Sequence, residues 1–330
     1  MAGLSTRVYS IYYIGPGAVM QLIGKKEIQK IDAPALRKAL EEAFVDFSGG
    51  RARSGGVGHL AFRDPPGDFH IKSSATAGQP FFTVKAAGSF YDNPARGLPS
   101  SNGAMLVFDA TTGEPVACLA DEGWLTDART ACAGAIAAGL IARKETNSIG
   151  IVGSGTQARM QAEWIAREFA NPLISVWARD PAKARTAVGD LRAVGVDAVH
   201  QPDLTLLVRE SDLVVTTTPS TVPLVTMAHA RPGLRIVAVG ADAPGKREIE
   251  RDLILRCDAL VVDSREQCCA YGECAGLNED PSAPAMHELG EILKRDGAIA
   301  FAEEDIVIAD LTGIGALDAA AASLVVSAAV

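Results

Sequence analysis

The fold of this 330-residue chain is decided by the sequence IGIVGSGTQA at residues 149–158. Its apolar, β-branched first half predicts a buried strand, and the glycines that follow fit the pattern GxGxxA, in which a strand turns into a helix. In such a turn the first glycine permits the bend, the second lets the backbone approach a pyrophosphate, and the alanine lets the helix pack on the sheet. The residues predicted to bind a dinucleotide here are Gly153, Ser154, Gly155, Thr156, Gln157 and Ala158.

The sequence around this turn alternates between strand-like and helical runs. The clearest apolar strands are predicted at residues 148–152, 174–177, 213–216, 236–239 and 259–262. Repeated β–α alternation with short β-branched strands is typical of a parallel sheet covered by helices. We therefore predict an α/β fold with a Rossmann-type doubly wound parallel sheet over residues 129–313.

The end of the second predicted strand bears on the choice of cofactor. An acidic residue that binds the ribose is expected near Ala178, which has no such side chain, and Arg179 follows with a charge that suits a 2′-phosphate. This favours NADP(H) and leaves NAD(H) open. Asp180 has two interpretations, since it either reaches a ribose or caps the helix that starts at Pro181.

Three more residues are assigned to the same edge of the sheet. Thr218 and Gly240 follow the next two core strands, and ligands bind at the carboxyl ends of strands in open α/β sheets. The hydroxyl of Thr218 could equally complete a strand-end turn. Asp242, in the loop after Gly240, is predicted near a nicotinamide as a general base or amine-binding carboxylate. The alternative is a loop Asp that caps the following turn.

The N-terminal part of the chain is predicted to be an α+β unit with an antiparallel sheet. A helix is predicted from Asp32, and strand-like runs stand at 70–72, 81–85, 104–108 and 115–121. A last helix, from about residue 315, is expected to return to this unit. The predicted division is an extension over residues 1–19 that belongs to no domain, an N-terminal domain over 20–128 plus 314–330, and the dinucleotide domain over 129–313.

The composition excludes several classes of partner. The net charge of −9 and a pI near 5.1 disfavour nucleic acid and anionic membrane surfaces. No apolar run approaches the roughly 18 residues of a membrane span. The six cysteines form no CxxC pair and the five histidines are scattered, so no metal site is predicted. Reduced thiols without a recognisable export signal predict a cytoplasmic protein.

Four cations of the N-terminal domain stand apart from the rest, namely Arg53, Lys72, Lys85 and Arg129. Lys85 lies at the end of a strongly apolar strand and Arg129 lies in the first turns of a helix of small residues, where a cation is costly unless it meets an anion. That anion is either a bound carboxylate or an internal partner. The internal candidates are Asp121, Glu122 and Asp127. Lys72 alternates with apolar neighbours and could equally be a solvated strand position.

Six motifs in order along the chain resemble the ornithine cyclodeaminase/mu-crystallin family. They are Lys85 with DNPARGLP at 92–99, TGEP at 112–115, LTDART at 125–130, GSGTQA at 153–158, GADAPGK at 240–246 and DLTGIG at 310–315. The resemblance covers the chain from about Met20 to its end. It implies a homodimer built through the N-terminal substrate-binding domain, with a Rossmann domain inserted before the last helix.

The resemblance also implies roles for single residues. A substrate carboxylate is held by an Arg-Lys-Arg set in this family, and Lys85 and Arg129 match two of its members. Arg53 is the expected third, with Arg51 and Arg63 left open, and Lys72 would add a contact to a second anionic group. Asp242 matches the catalytic aspartate of ornithine cyclodeaminase.

Three functions follow from this resemblance. The leading hypothesis is an NAD(P)-dependent oxidoreductase that transfers a hydride at the Cα–N bond of a small amino or imino acid. In it, Lys85 polarises the substrate carboxylate and Asp242 positions the amine or activates water or ammonia. The second is ornithine cyclodeamination, which yields proline and ammonia with a catalytic NAD. The third is a non-enzymatic, crystallin-like ligand-binding protein.

Overall fold

The computed structural model describes residues 11–12, 19–90, 92–294 and 299–329. The chain forms two compact units: unit 1 takes residues up to Arg129 and from Gly315 onward, and unit 2 takes Thr130–Ile314. Most of the predicted extension over residues 1–19 lies outside the described residues. Its described part includes Ile11–Tyr12, a short strand that pairs with Val19 and Met20.

Unit 1 is built on an eight-stranded sheet. Its strands are β1 (Ile11–Tyr12), β2 (Val19–Gly24), β3 (Ala52–Ser54), β4 (Gly58–Arg63), β5 (Pro66–Thr76), β6 (Phe81–Phe90), β7 (Ser101–Asp109) and β8 (Pro115–Ala120). The strand order is β1-β2-β8-β7-β6-β5-β3, with β4 also paired to β5. The prediction of an antiparallel sheet needs one correction, because β2 and β8 pair in parallel. These two strands are far apart in sequence, so no hairpin forces them to run in opposite directions.

Helices α1 (Lys25–Ile28) and α2 (Ala33–Ser48) lie between β2 and β3, and α3 (Trp124–Ile141) follows β8. Asp32 caps α2 as predicted, since its carboxylate accepts a hydrogen bond from Ala35 N at 3.0 Å. Helix α3 was expected at about 127–144 and begins three residues earlier. The carboxylate of Asp121 accepts from Leu125 N at 2.6 Å and so starts the helix there.

Unit 2 contains an eight-stranded sheet in which every pair of neighbours is parallel. Its strands are β9 (Ser148–Val152), β10 (Leu173–Trp177), β11 (Ala198–His200), β12 (Leu213–Thr216), β13 (Arg235–Ala238), β14 (Ala259–Val262), β15 (Met286–Glu288) and β16 (Val307–Asp310). Their order is β11-β10-β9-β12-β13-β16-β14-β15. The chain winds outward in both directions from β9, which places a topological switch point between β9 and β12.

Six helices of unit 2 connect these strands. They are α4 (Thr156–Ile165), α5 (Pro181–Ala193), α6 (Leu204–Glu210), α7 (Arg251–Arg256), α8 (Arg265–Tyr271) and α9 (Leu289–Lys294). Helix α7 was expected from Glu248 but begins at Arg251. Ile249 forms a parallel bridge to Val225 instead, so the segment before α7 is extended.

Helix α10 (Gly315–Ala329) returns to unit 1 and packs on α2 and on strands β5 and β6. Gly315 allows the close approach, because a Cβ there would lie 3.3 Å from both Ser54 Oγ and Ser73 O. The helix is rich in alanine and buries its inner side. Asp318 differs from the other buried residues of this helix, because it is a buried carboxylate among small apolar side chains.

The two faces of the unit 1 sheet differ in how they are covered. Residues opposite each other across a ladder share a face, and one row of Lys72, Lys85, Met105 and Leu119 lies on the helix-covered side. The other face carries accessible apolar side chains, and Leu60, Phe62 and Ile71 are 55%, 42% and 42% exposed. Within the described residues, no helix is long and apolar enough to cross a membrane.

Candidate active site

The turn after β9 has the geometry that the GxGxxA pattern predicts. Gly153 adopts a φ of +136°, which favours glycine, and a Cβ there would clash with Thr217 Oγ1. A Cβ built on Gly155 meets nothing within 4 Å, so that backbone is open on one side. Ala158 is 2% exposed and packs inside. The turn therefore combines a tightly packed first glycine, in a backbone conformation that suits glycine, with an accessible second one.

The start of α4 is free to receive an anion. Its N-cap is Gly155, which has no side chain to accept from the first N–H groups of the helix. Arg159 closes the turn from behind, with hydrogen bonds to Ser154 O and Gly155 O and an ion pair to Asp190 at 2.7 Å. A pyrophosphate fits these exposed N–H groups and the positive end of the helix dipole.

The residues after β10 resolve one of the open alternatives. Asp180 caps α5, and its carboxylate accepts from Ala182 N at 2.9 Å and Lys183 N at 3.4 Å. Arg179 is exposed and Ala178 is partly buried. Asp180 therefore acts as a helix cap. Arg179 remains as the charged side chain at the position where a ribose is expected.

Thr218 and Gly240 are brought together by a buried carboxylate, Glu248. Its oxygens accept four hydrogen bonds, from Thr218 N at 2.6 Å, Thr218 Oγ1 at 2.7 Å, Thr216 Oγ1 at 2.8 Å and Gly240 N at 2.9 Å. Burial raises the pKa of Glu248 to about 7, although these hydrogen bonds oppose the shift. The hydroxyl of Thr218 thus completes a strand-end network, as its alternative interpretation proposed.

The loop after β13 holds an ion pair. Asp242 is 52% exposed, and its carboxylate lies 2.6 Å from Lys246 Nζ within the same loop. Gly245 makes the turn between them with a φ of +85°. Asp242 is thus accessible for a role as base or amine ligand, and Lys246 is a partner to which the sequence assigned no function.

Unit 1 contains a buried cluster of charge centred on Asp318. Lys85 Nζ lies 2.7 Å from Asp318 Oδ2, and Arg129 Nε lies 2.8 Å from Asp318 Oδ1. The Lys85 and Arg129 side chains are each 5% exposed and that of Asp318 is 3% exposed. Lys85 lies mid-way along β6, not at its end as expected. Two buried cations therefore share a single buried carboxylate.

The pKa shifts in this cluster follow from burial and from charge. Burial lowers the pKa of Lys85 to about 7; the charges of Arg129 and Lys72 act in the same direction, and that of Asp318 opposes it. Burial alone would raise the pKa of Asp318, but Arg129 and Lys85 hold it below its ordinary value. The cluster thus contains an ionised carboxylate and a lysine that titrates near neutral pH.

Not all the predicted cations come together. Lys72 lies directly opposite Lys85 in the backbone register of β5 and β6. Its charge helps to lower the pKa of Asp318. Arg53 is exposed and lies opposite Ala75 of β5. Ala75 is three residues from Lys72 on the same strand, so their side chains point to opposite faces of the sheet. Arg53 therefore lies on the other face of the sheet, and the structure does not join it to the cluster. Arg51, the first alternative, is itself exposed and pairs with the partly buried Asp46 at 3.4 Å.

Asp318, which was not among the three predicted acids, is an internal partner of both Lys85 and Arg129. Asp121 caps α3 and Glu122 pairs with Lys25 at 3.0 Å. Sequence reasoning missed Asp318. The available signal was a lone acidic residue in the otherwise uncharged run GALDAAAASLVV at 315–326. An acid in a helix of small apolar residues calls for a buried cation.

A second missed residue stands behind Glu248. The carboxylate of Glu273 accepts from Glu248 N at 2.6 Å and Ile249 N at 3.1 Å. Burial, with the charges of Asp310 and Glu248, raises the pKa of Glu273 to about 8. No group of three or more His, Cys, Asp or Glu side chains in the described ranges could hold a metal ion.

Residues 18–330 match the ornithine cyclodeaminase/mu-crystallin family. The chain belongs to this family. Among its relatives are an uncharacterized cyclodeaminase of Sinorhizobium fredii and the alanine dehydrogenase of Archaeoglobus fulgidus. The first is 35% identical and the alignment covers 91% of this chain and 92% of the relative. The second is 32% identical over 92% and 93% of the two chains.

Two solved structures are also similar to this chain. An archaeal alanine dehydrogenase dimer with bound NAD is 30% identical, with a TM-score of 0.84 over 94% of this chain and 96% of that one. Iminosuccinate reductase of Paracoccus denitrificans in complex with NAD⁺ is 26% identical, with a TM-score of 0.82 over 94% and 96%. The predicted family and fold class are confirmed, and so is an enzyme of the oxidoreductase or cyclodeaminase type.

Proposed function

We propose that this chain transfers a hydride reversibly between a nicotinamide dinucleotide and a small amino or imino acid, at the α-carbon that is bonded to nitrogen. The observation that carries the proposal is the buried cluster in which Lys85 and Arg129 share Asp318. With Lys72 in electrostatic reach, the cations outnumber the carboxylate, and a substrate carboxylate would balance the excess. Family members named alanine dehydrogenase and iminosuccinate reductase, both with bound NAD, support the reaction type.

Substrate binding and proton uptake are linked at Lys85. Its pKa near 7 means that the amine is only partly protonated at neutral pH. A second carboxylate beside Nζ favours the ammonium form, so the substrate draws a proton onto Lys85. The ammonium and the Arg129 guanidinium then fix the carboxylate and stabilise negative charge next to the reacting carbon.

The cofactor is proposed to lie on the exposed N–H groups of α4. The residues proposed to hold it are Gly153, Ser154, Gly155, Thr156, Gln157, Ala158, Ala178, Arg179, Thr218 and Gly240. A bound nicotinamide accepts or supplies the hydride. Arg179 is exposed while Asp180 is engaged as a cap, which supports a preference for NADP(H) over NAD(H).

Asp242 is proposed to position the substrate amine or to activate water or ammonia. Its carboxylate pairs with Lys246 and is accessible in the loop after β13. An ionised carboxylate at this position can hold an ammonium group or accept a proton from it. Its exchange with Asn should therefore lower kcat more than it raises the KM of the carboxylate substrate.

The test is a set of initial-rate assays on the purified protein. Pyruvate with ammonia and cyclic imino acids are offered with NADPH and with NADH, and oxidation of the cofactor is followed by absorbance. Net consumption that requires substrate supports the proposal. If every amino and imino acid pair leaves both cofactors unchanged in both directions, the proposal is wrong.

Ornithine cyclodeamination is a second candidate, favoured by the relative from Sinorhizobium fredii and compatible with Asp242, which fits either reaction. In that reaction L-ornithine with NAD⁺ yields proline and ammonia without net NADH. The same purified protein decides between the two, because proline without a change in NADH indicates the lyase. A protein that only binds ligands would give no product in either assay.

A homodimer is proposed through the accessible sheet face of unit 1. Leu60, Phe62 and Ile71 lie on that face with large exposed fractions, and a contiguous apolar patch of this kind is typical of an interface. An exchange of Phe62 for Glu should shift the mass in light scattering from dimer to monomer. The cytoplasmic location predicted from the thiols stays a prediction.

A further inference from the structure

Glu248 links three strand ends of the unit 2 sheet. Its carboxylate accepts hydrogen bonds directly from Thr216 at the end of β12, from Thr218 just after β12, and from Gly240 after β13. The loop after β12 in turn contacts the end of β9, since Thr217 N donates to Val152 O at 2.9 Å and Thr217 Oγ1 to the same oxygen at 3.2 Å. Thr217 is also the side chain against which Gly153 packs.

The packing around Glu248 leaves no room for rearrangement. A Cβ on Gly240 would clash with Thr218 O and with Glu248 Oε2. Glu248 itself has no exposed surface, and Glu273 holds its backbone from behind. The carboxylate is therefore fixed on both sides, and small changes at it must be passed to the two loops.

The charge state of Glu248 matters because all four of its hydrogen-bond partners donate in these contacts. Two are backbone N–H groups, which cannot accept a proton from a neutral carboxyl group. Protonation of either oxygen would therefore require a threonine hydroxyl to turn from donor to acceptor, and it would weaken the hydrogen bond from the N–H group on that oxygen. Glu273 bonds to the backbone of Glu248, and the charge of Asp310 acts on Glu273 in turn. On the same segment, the charged neighbours of Glu248 are Lys246, Arg247 and Glu250.

We propose that Glu248 is a positioning residue that holds the loops of Thr218 and Gly240, and through Thr217 the Gly153 turn, in the arrangement that binds the cofactor. This inference rests on the proposed function, because those loops are the proposed cofactor site. Glu248 contacts neither cofactor nor substrate in this account. Its effect is carried by the backbone of the loops.

The experiment measures NADH binding to Glu248→Gln by fluorescence across pH, beside the wild type. NADH is chosen because the 2′-phosphate of NADPH titrates near pH 6 itself. Glu248→Gln should bind NADH about tenfold more weakly at pH 8, the effect expected for losing hydrogen bonds to a charged group. The wild type should approach the variant's Kd as pH falls below about 7, whereas the variant's Kd should not change with pH.

The matched control is Glu250→Gln, two residues further along the same segment. Glu250 accepts from Met227 N at 2.7 Å, away from the proposed cofactor loops. Its loss should lower the melting temperature but leave the Kd of NADH and its pH dependence as in the wild type. Equal weakening by both exchanges would reduce Glu248 to a structural residue and overturn the inference.

A milder exchange covers the case in which Glu248→Gln does not fold. Thr216→Val keeps the size of a buried side chain and removes one donor to the carboxylate. It should weaken NADH binding about two- to fivefold, in keeping with one hydrogen bond. Normal NADH binding by Thr216→Val, with no pH dependence in the wild type, would contradict the inference. A wild type that binds neither NADH nor NADPH would overturn the proposed function as well.

Discussion

Unit 1 buries Lys85 and Arg129 against one carboxylate, whereas unit 2 buries Glu248 and Glu273 against backbone N–H groups and hydroxyls. Burial moves the pKa of Lys85 down to about 7 and that of Glu248 up to about 7. The same physical cause therefore brings a base and an acid to the same range from opposite sides.

The two arrangements differ in their net charge and in the hydrogen-bonding capacity that remains for a ligand. With Lys72 in electrostatic reach, the cluster of unit 1 has more positive than negative charge, which is the basis of the proposed carboxylate site. The carboxylate of Glu248 already has four donors, so it has little capacity left for a ligand and instead fixes the backbone that donates to it. We therefore propose that buried charge serves recognition in unit 1 and positioning in unit 2.

The largest effect is expected from Asp318→Asn. Removal of this charge leaves Lys85 and Arg129 buried without a counter-ion, which should lower the free energy of unfolding by about 3–5 kcal/mol. Urea unfolding followed by circular dichroism measures it. The control is Glu122→Gln, which breaks the exposed pair with Lys25 and should change stability by less than about 1 kcal/mol. Equal effects from the two exchanges would show that the cluster is not an ion-pair centre.

Arg129→Lys tests recognition with the charge retained. Lysine lacks the planar fork of the guanidinium, so kcat/KM for the carboxylate substrate should fall by roughly 10- to 100-fold, about 1.4–2.8 kcal/mol. The KM of the cofactor should stay within twofold. The same exchange at Arg37, which pairs with Glu41 on α2, should leave both constants unchanged. A rise in the cofactor KM alone would place Arg129 in the wrong part of the site.

How far the sequence predicts these two regions depends on the distance between partners. The turn after β9 needs only Gly153, Gly155 and Ala158, which are close in sequence, and its geometry could be predicted. The contact of Arg129 with Asp318 joins residues 189 positions apart, so no local pattern could pair them. The parallel pairing of β2 with β8 was missed for the same reason.

Arg53 shows another limit of sequence reasoning. The family resemblance assigns it to the carboxylate set, but the face of a strand depends on register, which a single residue step reverses. In β3 that register sets Arg53 opposite Ala75 and not in the row of Lys72. The networks around Glu248 and Glu273 likewise depend on how loops after different strands meet at the edge of the sheet.

Opposite pH dependences of stability would sharpen the comparison. The pKa of Lys85 is about 7 when folded and 10.5 ordinarily, so the unfolded chain binds more protons between these values and stability from this residue rises with pH there. For Glu248 the values are about 7 and 4.5, so the folded chain binds more protons and stability falls as pH rises from 4.5 to 7. Each slope is at most about 1.4 kcal/mol per pH unit.

The measurement is urea unfolding of the wild type, Lys85→Met and Glu248→Gln over this range of pH. At each pH, the free energy of unfolding of a variant is subtracted from that of the wild type, which isolates the contribution of the exchanged residue. The difference for Lys85→Met should rise with pH above about 7, and that for Glu248→Gln should fall with pH below about 7. Differences that do not change with pH would contradict the assigned shifts.

The smallest effect is expected from Arg179→Ala. Loss of one exposed charge opposite a 2′-phosphate should raise the KM of NADPH several-fold, about 1 kcal/mol, and leave that of NADH unchanged. Arg185→Ala, which removes an exposed arginine of α5, is the control and should change neither KM. A wild type that uses NADH better than NADPH would contradict the proposed preference.

The most direct test of the central claim, that the Lys85–Arg129–Asp318 cluster binds a substrate carboxylate, is a comparison of two substrates. The reduction of a cyclic imino acid and of the same cyclic imine without its carboxylate is measured with saturating NAD(P)H. The account predicts that the wild type prefers the imino acid at least about 100-fold in kcat/KM, and that Arg129→Lys loses most of this preference. Equal kcat/KM values for the two substrates in the wild type would contradict it.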